Sequence, residues 1–300
     1  MNPCFLLYGA NGWIGSQVYD LLVNMGIKVE KSICRADDYE SVNIEIGSKN
    51  DITHVMSFIG RTHGIYEGEV ITTIDYLEKP GKLVENIKDN LYAPIVLSSI
   101  CKKYGKHFTY LGTGCIFDYD NQHLFNDETT GFNEEDNPNF FGSSYSIVKG
   151  YTDKLMHDLY NDDVLNIRIR MPITSEINSR NFITKITNYA KICSIPNSMS
   201  VLDNLLPVMI QYALNNKTGT INFTNPGLIS HNEILEMYKE IVDPMFTWEN
   251  FSMDEQNNIL ASKRSNNCLD TSKLELDFRN IVKPIKEAVR DVLVKMKSNK

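Results

Sequence analysis

The spacing Gly9-Ala-Asn-Gly12-Trp-Ile-Gly15 constrains this chain more than any other feature. It follows a short apolar run from Phe5 to Tyr8. It precedes a helical pattern through Val18, Leu21, Leu22 and Met25 that ends at Gly26. A strand, a glycine turn and a helix in that order let the backbone come close to a pyrophosphate, and the helix amino terminus offers N–H groups and a favourable dipole. Gly9, Gly12 and Gly15, with Trp13 and Ile14 among them, are the candidate dinucleotide-binding turn. A glycine triplet alone could also be only a tight turn.

The alternation continues. Ile27 to Ile33, His54 to Phe58, His107 to Leu111 and Val164 to Arg170 read as strands, and Leu91 to Tyr104 reads as a helix. Units of this length predict an α/β fold with a doubly wound parallel sheet, a Rossmann arrangement. Periodicity becomes irregular after Pro172, so a dinucleotide-binding domain is placed at 1–170. A smaller, mainly substrate-binding region with segments returning to the first domain is placed at 171–300. Its expected elements are helices from Phe182 to Tyr189, Ser230 to Val242 and Ile285 to Met296, and a strand from Thr220 to Thr224. Ser230-His-Asn-Glu233 has capping-box spacing.

Composition narrows the function. With 300 residues, 42% of them hydrophobic, the chain can bury a substantial core. A net charge of −8 and the lack of a basic block argue against a nucleic-acid partner. No apolar run reaches membrane-spanning length, and the start lacks the basic region of a signal peptide. The six cysteines show neither CxxC pairs nor metal-ligand spacing, which predicts reduced thiols in a cytoplasmic protein and sets aside disulfides and zinc.

Two further features carry chemistry. Arg35 lies roughly twenty residues beyond Gly15, where an acid would bind a ribose hydroxyl and an arginine suits a 2′-phosphate. It favours NADPH, while Asp37 and Asp38 keep NADH open. Tyr145-Ser-Ile-Val-Lys149 places a phenol and an ammonium on one helix face. The cation favours the phenolate, so Tyr145 can exchange a proton with a substrate carbonyl oxygen, and the Thr113 hydroxyl could bond the same oxygen.

On the glycine turn, Thr113 and Tyr145-x-x-x-Lys149 together, the chain resembles the extended short-chain dehydrogenase/reductase family over nearly its whole length. The resemblance implies that Thr113, Tyr145 and Lys149 form the reductase triad. It also implies that Phe58, Ile59 and Gly60 lie along the cofactor and that Pro172 lies near the nicotinamide. Gly112-Thr-Gly-Cys-Ile-Phe117, Arg170-Met-Pro-Ile173, Arg180-Asn-Phe-Ile-Thr-Lys185, Ile195-Pro-Asn-Ser-Met199, Phe223-Thr-Asn-Pro-Gly227 and Arg264-Ser-Asn-Asn267 resemble more closely the plant bifunctional nucleotide-rhamnose synthase/epimerase-reductases. Those enzymes convert UDP-4-keto-6-deoxy-D-glucose to UDP-L-rhamnose with NADPH. The resemblance thus implies a nucleotide-sugar substrate supplied by an upstream 4,6-dehydratase, and a possible homodimer.

Inverting carbons 3 and 5 beside a ketone needs a proton-transfer group on each face of the sugar. Cys115, two residues beyond Thr113, is the first candidate, because side chains alternate along a strand. The related GDP-fucose synthases pair such a cysteine with a histidine after the equivalent of Pro172, where this sequence has Ser179-Arg-Asn-Phe-Ile-Thr-Lys185 and no histidine, and Lys185 is the expected second group. Asn181 and Arg264 are expected on the diphosphate. A reductase without epimerase activity, and a non-catalytic dinucleotide-binding subunit, are the alternatives.

Overall fold

The computed structural model describes residues 2–298. Six strands form one sheet in the order β2-β1-β3-β6-β7-β8. They are β1 (Cys4–Tyr8), β2 (Lys28–Lys31), β3 (His54–Ser57), β6 (His107–Thr113), β7 (Val164–Ile169) and β8 (Gly219–Asn222), while β4 (Gly64–Tyr66) and β5 (Glu69–Ile71) pair as a separate hairpin. β1 runs parallel to both β2 and β3, and β3 runs parallel to β6. The chain leaves β1 first to one side and then to the other, so the strand order reverses there. That is where doubly wound sheets bind ligands, and the glycine turn leaves β1 at that point.

Eleven α-helices are defined among the described residues: α1 (Trp13–Asn24), α2 (Tyr39–Ser48), α3 (Lys82–Ile87), α4 (Ala93–Lys103), α5 (Ser144–Tyr160), α6 (Phe182–Ile186), α7 (Leu202–Leu214), α8 (His231–Ile241), α9 (Met253–Ile259), α10 (Ser272–Phe278) and α11 (Ile285–Ser298). None is long and apolar enough to cross a membrane. The contacts divide the chain into two compact units. The first holds the chain up to Thr113 with Ser143–Arg168 and Met209–Ile221. The second holds Gly114–Gly142, Ile169–Val208 and the chain from Asn222 onward.

Each unit has its own core. In the first, Leu6, Tyr8, Val55, Phe108 and Tyr110 of the sheet cluster with Val96, Leu97 and Ile100 of α4. All are buried, and each large apolar side chain removed from water contributes roughly 1.5–3 kcal/mol before ordering costs. The central strand β1 is apolar and buried on both faces, as a sheet covered by helices requires. In the second unit, Ile234, Leu235 and Tyr238 of α8 cluster with Val289, Val292 and Leu293 of α11. The capping box expected at Ser230 starts α8: Glu233 N–H donates to Ser230 Oγ at 3.3 Å, and Ser230 N–H donates to the Glu233 carboxylate at 2.8 Å.

The helix expected from Phe182 to Tyr189 ends at Ile186. Thr187 Oγ1 donates to the Ile183 carbonyl at 3.0 Å, and Asn188 Nδ2 donates to the Thr184 carbonyl at 2.7 Å. The Asn188 side chain thus takes the Thr184 carbonyl that its own backbone N–H would bond in a longer helix, while that N–H donates to the Lys185 carbonyl at 3.0 Å.

Candidate active site

The first unit contains the turn expected to hold a dinucleotide. Gly9 has φ +77°, and a β-carbon on it would lie 3.1 Å from the Phe58 carbonyl carbon and 3.2 Å from the Ile59 nitrogen. A β-carbon on Gly15 would lie 2.3 Å from the Gly9 oxygen. Both positions therefore exclude side chains, and Phe58, Ile59 and Gly60 continue from the neighbouring strand. α1 begins at Trp13 after Gly12 with no side-chain cap and no acid in its first turn. An amino terminus left this way suits an anion. Trp13 Nε1 is buried without an acceptor in the same turn. The residues present fit a dinucleotide.

Arg35 extends from the loop after β2 and is 68% exposed. Its Nε donates to Asp37 at 2.8 Å, and its other end is 3.7 Å from Asp89, which also pairs with Arg61 at 2.8 Å. Glu45 of α2 shapes that loop by accepting from Tyr8 Oη, Ser32 Oγ and Cys34 Sγ at 2.7, 2.7 and 3.0 Å.

The residues expected to form the reductase triad come from two elements of this unit that pack together, β6 and α5. Thr113 ends β6 and is 6% exposed. Gly112 before it allows the close approach of β7, because a β-carbon there would lie 2.5 Å from Asn166 Oδ1. Ser143 caps α5 by accepting from Ser146 N–H at 3.0 Å. Tyr145 and Lys149 then fall one turn apart, Tyr145 half-buried and Lys149 buried. Motif spacing did not reveal one partner of Lys149, the Tyr110 phenol, to which its ammonium donates.

The second unit holds the remaining candidates. Cys115 is half-buried. The adjacent Gly114 leaves room for Arg170, whose Cγ lies 3.0 Å from where a β-carbon would be. Arg170 is 1% exposed and donates to Asn197 Oδ1 at 2.9 Å and to the Ser265 carbonyl at 3.0 Å. Burial lowers its pKa, and attraction to Cys115 is the foremost opposing effect. A buried cation thus accompanies the thiol, although sequence reasoning gave Arg170 no role. Met171 follows with φ +39°, a backbone position that side chains rarely adopt, before Pro172 accepts from Phe182 N–H at 3.0 Å.

Lys185 lies in α6, and burial, then the charges of Arg180 and Arg264, lower its pKa. That environment favours a neutral amine able to take a proton. Asn181 is fully buried and caps α6. It donates to the Thr174 and Glu176 carbonyls at 2.8 and 2.7 Å and accepts from Ile183 N–H at 3.2 Å. Its amide is committed to the turn that carries Lys185, and a diphosphate contact would require that cap to open. Arg264 is half-buried and donates to the Ser262 carbonyl at 2.9 Å. Elsewhere, Cys4, Glu30 and Asp51 bring possible metal-ligand atoms within 4.8 Å of one another, but Lys28 and Lys49 pair with the two carboxylates.

The profile of the NAD dependent epimerase/dehydratase family matches residues 5–189, more than half of the chain. The chain belongs to that family. Within it, the crystal structure of the L780 UDP-rhamnose synthase from Acanthamoeba polyphaga mimivirus is 54% identical, with a TM-score of 0.93 over 99% of this chain and 100% of that one. A bifunctional dTDP-4-dehydrorhamnose 3,5-epimerase/dTDP-4-dehydrorhamnose reductase of Arabidopsis thaliana is 42% identical over 95% of this chain and 90% of its own. A trifunctional UDP-glucose 4,6-dehydratase/UDP-4-keto-6-deoxy-D-glucose 3,5-epimerase/UDP-4-keto-L-rhamnose-reductase of the same plant is 41% identical over 95% of this chain, which spans 41% of that protein.

Proposed function

We propose that this enzyme converts UDP-4-keto-6-deoxy-D-glucose to UDP-L-rhamnose, inverting carbons 3 and 5 and then reducing the ketone at carbon 4. The observation that carries this reading is the end-to-end kinship with a UDP-rhamnose synthase. The chain also holds both sets of groups the two reactions need: Thr113, Tyr145 and Lys149 for the carbonyl, and Cys115 and Lys185 for the neighbouring carbons.

The ketone acidifies the hydrogens on carbons 3 and 5. In this reading the hydroxyls of Thr113 and Tyr145 donate to the carbonyl oxygen and stabilise the enolate. Of Cys115 and Lys185, one removes the proton from a carbon and the other returns one from the opposite face. A bound reduced nicotinamide supplies the hydride for carbon 4. Tyr145 gives its proton to the resulting alkoxide, the Lys149 cation stabilises the phenolate left behind, and solvent restores the proton. Arg35 supports NADPH as the nucleotide, and Arg264 is assigned to the substrate diphosphate. A separate 4,6-dehydratase supplies the keto sugar, and six cysteines that form no disulfide accord with work in the cytoplasm.

Proton NMR of UDP-4-keto-6-deoxy-D-glucose with the enzyme and NADPH in heavy water tests the proposal. UDP-L-rhamnose deuterated at carbons 3 and 5 is expected. A reduced sugar without deuterium would leave a reductase alone, and no turnover of any keto sugar would leave a binding protein.

A further inference from the structure

Lys149 is 4% exposed, and an ammonium so buried needs acceptors. Lys149 donates to the hydroxyl of Tyr110, and its nitrogen lies 4.5 Å from the centre of that ring. Asp153, one turn further along α5, accepts from Arg168 Nε at 2.9 Å and Nη2 at 2.6 Å and from Asn166 Nδ2 at 2.8 Å. Tyr110 is 1% exposed and stands on β6, the strand that ends at Thr113. Burial raises its pKa well above the usual phenol range, reinforced by Tyr145 and then Asp153, so it stays neutral.

We infer that Tyr110 is a positioning residue for the reduction: a neutral phenol that fixes the Lys149 ammonium beside Tyr145 without cancelling its charge. A carboxylate in that place would bind the ammonium more tightly but would screen the phenolate from it. The phenol anchors by a hydrogen bond and by its ring face, and it leaves the positive field directed at Tyr145. It also ties the catalytic helix to the strand that presents Thr113, so the two hydroxyls keep a common reference. The inference rests on the roles given above to Tyr145 and Lys149.

The test is a double-mutant cycle on the full chain, with keto-sugar reduction followed across pH for wild type, Tyr110→Phe, Lys149→Met and the double variant. Tyr110→Phe should lower kcat about 10-fold at neutral pH while the substrate KM changes less than about 3-fold. Its basic limb should move to higher pH, because a loosened cation favours the Tyr145 phenolate less. The double variant should be no slower than Lys149→Met. Additive losses, or an unmoved limb with wild-type kcat in Tyr110→Phe, would overturn the inference and leave the triad intact. Wild-type reduction by Lys149→Met would overturn the underlying reading and the inference with it. If Tyr110→Phe folds poorly, Tyr110→Leu enters the same cycle with the same criteria.

Discussion

A β-carbon on Gly15 would lie 2.3 Å from the carbonyl oxygen of Gly9, closer than any real side chain comes to backbone. The start of α1 therefore rests directly on the turn that leaves β1, and both glycines are fixed by space before any ligand is considered. Gly15→Ala should push the helix terminus away from the turn. NADPH affinity should fall by at least about 100-fold, and the melting temperature should drop as well. Fluorescence titration and a thermal melt measure these; wild-type affinity in the variant would remove this turn as the cofactor cradle.

Arg35 is exposed, and its side chain is held by Asp37 and approached by Asp89. In the proposed function it exchanges a carboxylate for the 2′-phosphate. Arg35→Gln should weaken NADPH about 10-fold and leave NADH nearly unchanged, with the difference shrinking at high salt. Equal weakening of both nucleotides would mean that Arg35 shapes the loop and does not read the 2′-phosphate.

Much of this arrangement is visible in residue order. The glycine spacing, the Tyr145 to Lys149 interval and the Ser230 to Glu233 cap are local, and each forms where its pattern predicts. α7 was hard to read because Pro207 lies inside the helix and because Leu205, Leu206, Val208, Met209 and Ile210 are all buried, leaving only Asp203, Asn204 and Gln211 as polar markers of its period. The anchor of Lys149 was also hidden. Tyr110 reads as one more apolar strand residue until α5 packs on β6, and Arg170 gains its setting from loops near Asn197 and Ser265.

The sheet carries an acid-sensitive pair far from this chemistry. His54 of β3 and His107 of β6 are register partners with ring centres 5.4 Å apart, and both are buried. Burial, then the charge of His107, lowers the His54 pKa to about 4. The folded state thus binds this proton less readily than the unfolded state, whose value is near 6.5. Stability is fully present above that pH and is lost as pH falls towards 4, by an amount on the order of 3 kcal/mol. Denaturant unfolding between pH 7 and pH 4 should show this slope, and His54→Phe, which keeps a ring to stack on Phe5, should flatten it. An unchanged slope would mean that other groups control acid unfolding.

In the proposed function, the thiol and amine of the second unit serve epimerisation and not reduction. Cys115→Ser and Lys185→Met should each lower deuterium incorporation at carbon 3, carbon 5 or both by about 100-fold or more, since a missing acid or base typically costs that much. Both should still bind NADPH, and both should reduce a 4-keto sugar that is already epimerised. Lys185 adds a pH signature. Its pKa is lowered by burial and by Arg180 and Arg264, so exchange that depends on the neutral amine rises as pH rises through that value. Arg264→Gln removes one of the two charges, which should raise the Lys185 pKa and move the rising limb to higher pH. If the limb stays in place, Lys185 does not set it. If exchange in Cys115→Ser equals wild type, the thiol has no part in the proton transfer, and a group other than Cys115 must share the inversion with Lys185.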